Sequence, residues 1–472
     1  MNISIVKFNL NQQEKSIMCF CLFSCWLLSV PFEGQVLYKL LENSEVDGIT
    51  HSFIAVFANF IGLFSSGFLI KKQNAAKMTM ITSTVVCMAG SFIFFLPFSK
   101  LWYIALFFVA LFSGFFIASW GFYLKNYFRA EERLKTIANV LIYSNILMVF
   151  INVVAVNVSP FIALSISIVA LFNALLVAFR LETNSMAKNP KTDMRILSIG
   201  VSSIRKSMQL LCLFILILTI NSGLMYQVVN PAFAHYPTLT SYYWAIPYII
   251  ALLILRNLPS RINQAYILHI AMTMIGLSFI LFMALNRSIP SYLIINTLMM
   301  GAFGVCDLFW WSILGSLFDY SKNPTQILGM GLSMNVLGIL MGGFIGSIIV
   351  SVEGGYQQAS IIALIIIFII IILLPILNNL LSRHLKNHVF LMNFTNMKES
   401  ERDSVITDFQ DDKQLTDREI EVVELLLKGY TYRAIAERLV ISENTMKYHV
   451  KNIYQKLNIN SKMELIKILA EN

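Results

Sequence analysis

The sequence predicts an all-α chain in two parts: a polytopic bundle of twelve membrane helices, six plus six, followed by a small four-helix module. Three observations carry this reading. First, apolar runs of about 20 residues, the length needed to cross a bilayer core, recur along the chain as far as residue 381. Second, 57% of the 472 residues are hydrophobic and the mean hydropathy is +0.70, too apolar for one soluble domain. Third, charge is unevenly spread: residues 398–472 hold 12 Lys/Arg and 14 Asp/Glu, whereas the 397 residues before them hold only 23 and 12. All eleven prolines lie at or before Pro375, so nothing of that kind interrupts a helix in the tail.

Candidate spans fall near 16–36, 50–70, 78–97, 101–123, 136–158 and 160–179, then 207–229, 239–255, 265–285, 290–317, 327–350 and 360–381. The first run, Ile17–Val30, lacks a small-x-small cleavage site and reads as a span rather than a signal peptide. The polar stretch 180–206 is the longest internal connector and divides the spans into two sets of six. With a cytoplasmic N-terminus, twenty Lys and Arg fall in inside segments, against only Lys39, Lys100 and Arg287 outside. That bias predicts cytoplasmic N- and C-termini in a bacterial inner membrane. The two halves echo one another. Trp120 stands eight residues before Phe128 and Trp310 eight before Phe318, each pair leading into a short inside loop, "FRAEERLKT" and "FDYSKNPTQ".

Six-plus-six spans with a basic central connector resemble the major facilitator superfamily over about positions 1–385. The resemblance rests on topology more than on motif, and it implies a ligand cavity near the midplane between the halves. The loop between the second and third spans departs from the family. "GFLIKKQNAAK" keeps Gly67 and three lysines but has no acid, and "LRNLPSRINQ" in the second half is equally degenerate. The family uses such acids and bases for cytoplasmic gating contacts, so their absence counts against ordinary transport without excluding it.

Ionisable groups inside the spans are few, as their cost requires. Asp307 in "GVCDLFWWS" is the clearest acid, either a ligand contact in a polar cavity or a helix–helix hydrogen-bonding group. Asn145 and Asn221 are the accompanying ligand candidates, and Asn139 and Asn152 share their span-internal setting; interhelical bonding is the plainer role for all four. Glu33 and His51 sit near outer span ends, where solvation suffices. Gly338, Gly342 and Gly346 recur at four-residue spacing and predict a close helix approach, within the chain or between two copies. The six cysteines fall in apolar runs, and the group Cys19, Cys21 and Cys25 reads as small bilayer residues rather than a thiol or metal site. No metal-ligand motif, phosphate-binding glycine loop or catalytic triad pattern supports an enzyme, and no cofactor is expected.

From Leu415 the text changes character. Thr416 with Glu419 forms a capping box opening a first helix, and Lys428–Gly429 ends it. Thr431 caps a second helix through Leu439, Ser442 caps a third, and Ser461 with Glu464 opens a fourth. In the third, Met446, Val450, Ile453 and Leu457 share one face, while Asn444, Lys447, Tyr448, Lys451 and Gln455 share the other. The run L-T-x-R-E (Leu415–Glu419), Gly429, I-A-x-x-L (Ile435–Leu439) and I-S-x-x-T (Ile441–Thr445), continued by His449, Ile453, Lys456 and Leu457, strongly resembles the LuxR-type DNA-binding domain. Ala434, Met446 and Lys462 are modest departures. The resemblance implies a recognition helix in the major groove. Lys447, Tyr448 and Lys451 would then face base edges and nearby phosphates, and Thr445 and Lys462 the phosphate backbone. It also implies homodimers on two half-sites, with residues 462–469 as the contact. Residues 413–472 carry ten Lys/Arg and eight Asp/Glu, so local placement rather than bulk charge carries the expectation, and a single copy would bind DNA feebly.

The expected organisation is thus a transporter-like sensor domain (1–382), a cytoplasmic linker (383–412) and a DNA-binding domain (413–472). It predicts a membrane-bound one-component transcriptional regulator with an unidentified small-molecule ligand and double-stranded DNA as partners. The alternative is a secondary transporter with an appended regulatory tail.

Overall fold

The computed structural model describes residues 10–32, 34–42, 48–183, 190–258, 264–352, 354–396, 409–410, 413–427, 432–459, 464–465 and 468–469. The chain forms two compact units, residues 1–186 with 208–375 and residues 187–207 with 376–472.

In the first unit, the first half comprises α1 (Gln12–Ser29), α2 (Gln35–Glu42), α3 (Gly48–Leu69), α4 (Gln73–Phe92), α5 (Lys100–Ser119), α6 (Gly121–Tyr127), α7 (Ala130–Asn157) and α8 (Pro160–Phe179). The second half begins with α9 (Pro190–Leu224), whose residues up to 207 belong to the second unit, and which passes through a π-helical turn (Met225–Val229) into α10 (Asn230–Ala232). It continues with α11 (Pro237–Tyr242), α12 (Ala245–Arg256), α13 (Gln264–Ala284), α14 (Ile289–Leu317), α15 (Pro324–Val350) and α16 (Gly355–Asn396), whose residues from 376 belong to the second unit.

Among the described residues, eleven helical stretches are long and apolar enough to cross a membrane. The first expected span does not qualify as one helix. α1 opens on Gln12, Gln13, Glu14 and Lys15, and stops at Ser29 because Pro31 has no N–H to continue the ladder. It still packs against α7 and α8, with Cys19, Phe23 and Trp26 buried. Cys19 Sγ donates to the Ala174 carbonyl at 3.5 Å; among the described residues no group of His, Cys, Asp or Glu could hold a metal. The connector expected over 180–206 is helical from Pro190 onward, and α16 runs through Pro375 as far as Asn396. No glycine or further proline lies between Pro375 and Asn396, so no residue of that kind interrupts the rest of α16.

The halves meet where α3 packs on α15 and α7 packs on α12 and α14. The Gly338/Gly342/Gly346 stripe is taken up inside the chain by α9. A Cβ on Gly342 would lie 2.0 Å from the Ile220 carbonyl oxygen and 3.0 Å from the Gly223 Cα, so only glycine allows these backbones to touch.

The second unit contains a helical module built from α17 (Asp417–Leu427), α18 (Tyr432–Arg438) and α19 (Glu443–Lys456). Its core is formed by Val422, Val423, Leu426, Ile435, Met446 and Ile453, joined by Leu465 and Leu469. Residues 464–465 and 468–469 are helical, in keeping with a fourth helix; the expected caps at Lys428–Gly429, Thr431 and Ser461 lie outside the described residues.

Candidate DNA-reading surface and membrane cavity

α19 is built to show two faces. Ser442 caps it, its Oγ accepting from the Thr445 N–H at 3.1 Å. Met446, Val450 and Ile453 are buried, while Leu457 packs half-buried against the same core. Thr445, Lys447, Tyr448 and Lys451 are exposed, Tyr448 to 62%, and so form one accessible basic and aromatic strip. His449 is half-buried at the margin of the two faces. Lys462 lies outside the described residues.

Two ties fix α19 in place. The capping box at Thr416 and Glu419 forms as expected: the Thr416 N–H donates to Glu419 Oε2 at 2.9 Å, and the Glu419 N–H donates to Thr416 Oγ1 at 3.3 Å. The same Oε2 accepts from Lys456 Nζ at 2.6 Å, which joins the start of α17 to the last residue of α19. Burial pushes the Glu419 carboxyl up, but the hydrogen bonds from Lys456 and Thr416 outweigh it and hold it below its ordinary value. The second tie is Arg418, whose guanidinium donates to the Leu439 carbonyl at 2.6 Å, clamping the turn between α18 and α19. In that turn Val440 has φ +54° and is 91% exposed.

Sequence reasoning read Glu419 only as a cap and missed Arg418; the signal was in the L-T-x-R-E run, whose Arg and Glu each hold one end of α19. Phe409, four residues before the expected start of the module at 413, is buried in its core, and the Leu415 N–H donates to the Gln410 carbonyl at 3.4 Å.

In the first unit a cavity of about 470 Å³ opens between the halves. One wall comes from α2 and α3, with Gln35, Lys39 and Phe53; the other comes from the π-helical turn and its surroundings, with Tyr226, Gln227 and Trp244. π-helical turns are uncommon and concentrate at functional positions. Lys39 is paired with Glu42 at 2.5 Å. The lining does not include the three span-internal ligand candidates. Asp307 on α14 accepts from the Tyr248 hydroxyl at 2.7 Å, Asn145 donates back to the Leu141 carbonyl at 2.8 Å, and Asn221 is buried beside the α9–α15 contact. Asn152 accepts from the Gln35 N–H at 3.2 Å, so at least one span-internal amide bonds between helices. The missed polar positions on the second wall had a sequence signal: Asn230–Pro231 breaks an otherwise apolar run beside Gln227.

Residues 413–469 match the family described as "Bacterial regulatory proteins, luxR family". Over 52 residues the chain is 50% identical to the transcriptional regulatory protein DegU of Brevibacillus brevis, covering 11% of this chain and 22% of that protein. Over another 52-residue match it is 46% identical to the oxygen regulatory protein NreC of Staphylococcus carnosus, covering 11% and 24%. The chain therefore spans about a quarter or less of the length of these two relatives. Among solved structures, the human organic anion transporter MFSD10 (TETRAN) superposes with a TM-score of 0.59 at 12% identity, over 76% of this chain and 100% of that one. The Major Facilitator Superfamily transporter FucP in the outward conformation gives 0.57 at 15% identity, over 78% and 99%. At such identity the likeness is one of fold. The C-terminal module is a LuxR-type helix-turn-helix domain, carried by a multi-pass membrane bundle with a major-facilitator-like fold.

Proposed function

We propose that the chain is a membrane-bound one-component transcriptional regulator. The bundle takes a small molecule in the cavity between its halves, and the module binds promoter DNA on the cytoplasmic side of a bacterial inner membrane. The observation that supports this best is the α19 strip of Lys447, Tyr448 and Lys451, backed by a face fully committed to the core. Lysine donates to guanine O6 and N7, and Thr445 stands near the helix start, where a phosphate is favoured. Lys462 falls in the segment that would touch DNA backbone and partner, and dimers on two half-sites would offset the module's small net charge. Ligand binding shifts the output only if one state of the bundle holds the ligand better than the other.

The test is chromatin precipitation of full-length protein beside a Lys447→Ala/Lys451→Ala variant. Loss of promoter occupancy at unchanged membrane abundance is expected; unchanged occupancy would remove the direct DNA role. The cavity favours one second reading, a secondary transporter with a regulatory tail. Uptake of a solute by purified protein in vesicles is its discriminating measurement.

A further inference from the structure

The lining of the cavity between the halves carries one cation and one anion, and they are paired with each other: Lys39 Nζ lies 2.5 Å from Glu42 Oε2. Its other polar groups are uncharged. Gln35 on α2, Gln227 in the π-helical turn and Asn230 at the start of α10 are primary amides, each able to donate and to accept. Two hydroxyl protons beside them are already committed. Ser241 Oγ donates to the Pro237 carbonyl at 2.6 Å, and Thr240 Oγ1 to the Tyr236 carbonyl at 3.1 Å. Phe53 and Trp244 add flat apolar surface. The space between the walls depends on Gly343 of α15. A Cβ there would lie 3.3 Å from a Phe53 ring carbon on one wall and 3.6 Å from Gln227 Cγ on the other, and a longer side chain would fill the gap.

We infer that the cavity takes an uncharged ring compound bearing hydroxyl groups: a neutral sugar, free or as part of a nucleoside. The inference rests on the proposed reading of the bundle as the receiver of a small molecule. An ion entering this cavity would leave water with no unpaired opposite charge to meet it, and an anion would have to take Lys39 from Glu42. A wholly apolar ligand would strip water from three amides and return no hydrogen bonds. A sugar ring meets both conditions. Its C–H face packs on the Trp244 or Phe53 ring, and hydroxyls on adjacent carbons pair with an amide that donates and accepts at once. The volume of about 470 Å³ falls within the ~300–1,000 Å³ of small-molecule sites. Gln35 and Gln227 stand on opposite walls, so a ring bonded to both ties the halves together. A contact made in one arrangement of the halves and lost in another is what lets a ligand shift the bundle.

The test is calorimetric titration of purified full-length protein with neutral probes and their charged counterparts. Glucose and galactose are set against glucuronate, galacturonate and protonated glucosamine, and adenosine and uridine against their monophosphates. At least one neutral probe is expected to bind saturably, and at least tenfold more tightly than its charged counterparts. Binding of a free hexose, or of a nucleoside alone, names the source. Gln35→Met and Gln227→Met keep the unbranched length and remove the amide, and each is expected to weaken binding at least tenfold. Gly343→Val, which fills the gap, is expected to abolish it. A charged counterpart that binds as tightly as its neutral partner, or silence from every probe, would overturn the ligand class. Unchanged affinity in both methionine variants, at normal yield and elution profile, would overturn the site. Neither result touches the regulator reading, which chromatin precipitation decides. Conversely, saturable binding of a sugar that leaves promoter occupancy in cells unchanged would keep the ligand and remove the sensing.

Discussion

Replacing Glu419 with alanine removes the one carboxylate that joins α17 to the far end of the reading helix. Three donors converge on Oε2: the Thr416 N–H, the Thr416 hydroxyl at 3.0 Å and Lys456 Nζ. Loss of the capping interaction costs about 1 kcal/mol. The bond from Lys456 is charge-assisted, but that side chain is 38% exposed, so solvent screening leaves it about 1 kcal/mol rather than the upper range for such bonds. The sum of about 2 kcal/mol corresponds, for a domain of this size, to a melting temperature lower by roughly 8–16 °C. The assay is thermal denaturation, followed by circular dichroism, of residues 398–472, which include the module's own core. A cycle with Lys456→Ala is expected to show coupling of about 1 kcal/mol between the two side chains. A fall below about 2 °C, or strict additivity of the two substitutions, would refute the assigned role. The pH dependence follows from the depressed carboxyl. Its stabilisation is fully present above the ordinary carboxyl value of 4.5 and is lost as pH falls through the lower folded value. The native module should therefore lose stability below about pH 4.5 more steeply than Glu419→Gln, which has no proton to take up there.

Val440→Asn should stabilise the module by about 0.5–1 kcal/mol in the same melts, because a β-branched residue at positive φ is strained and this one, being exposed, gives up no packing. Tyr448→Ala should leave the melt unchanged and weaken promoter binding in a mobility shift by about tenfold, the effect of losing one groove contact. Gly342→Val should cost about 3 kcal/mol or more through overpacking of α9 against α15, read as loss of the monodisperse peak in detergent chromatography.

Local features were legible from the sequence wherever one stretch of chain settles them. Apolar runs located the spans, the Thr416/Glu419 box and Ser442 set two helix starts, and the 3.6-residue period sorted Met446 and Val450 from Lys447 and Tyr448. The glycine stripe on α15 announced a close approach, though its partner α9 is a choice that tertiary packing makes. The rest depends on contacts between distant positions. Arg133 pairs with Asp319 across 186 residues and Lys456 with Glu419 across 37, and neither pairing follows from a period or a cap. A search for polar groups inside apolar runs nominates Asn145, Asn221 and Asp307, whereas the cavity between the halves draws its polar lining from Gln35, Lys39, Tyr226 and Gln227.

Joining α19 to the bundle in one polypeptide has a geographical consequence. A free repressor or activator finds its site by sliding along the chromosome and hopping between segments. If α19 reads promoters as proposed above, a helix fastened to a multi-pass body cannot travel in that way, so the gene must come to the protein. The distance from a promoter to the membrane then joins its sequence in deciding how often it is read. A chromosomal locus that is transcribed near the envelope, or drawn there by insertion of its own nascent membrane products, would meet a far higher local concentration of the helix than the same sequence placed in the cell interior.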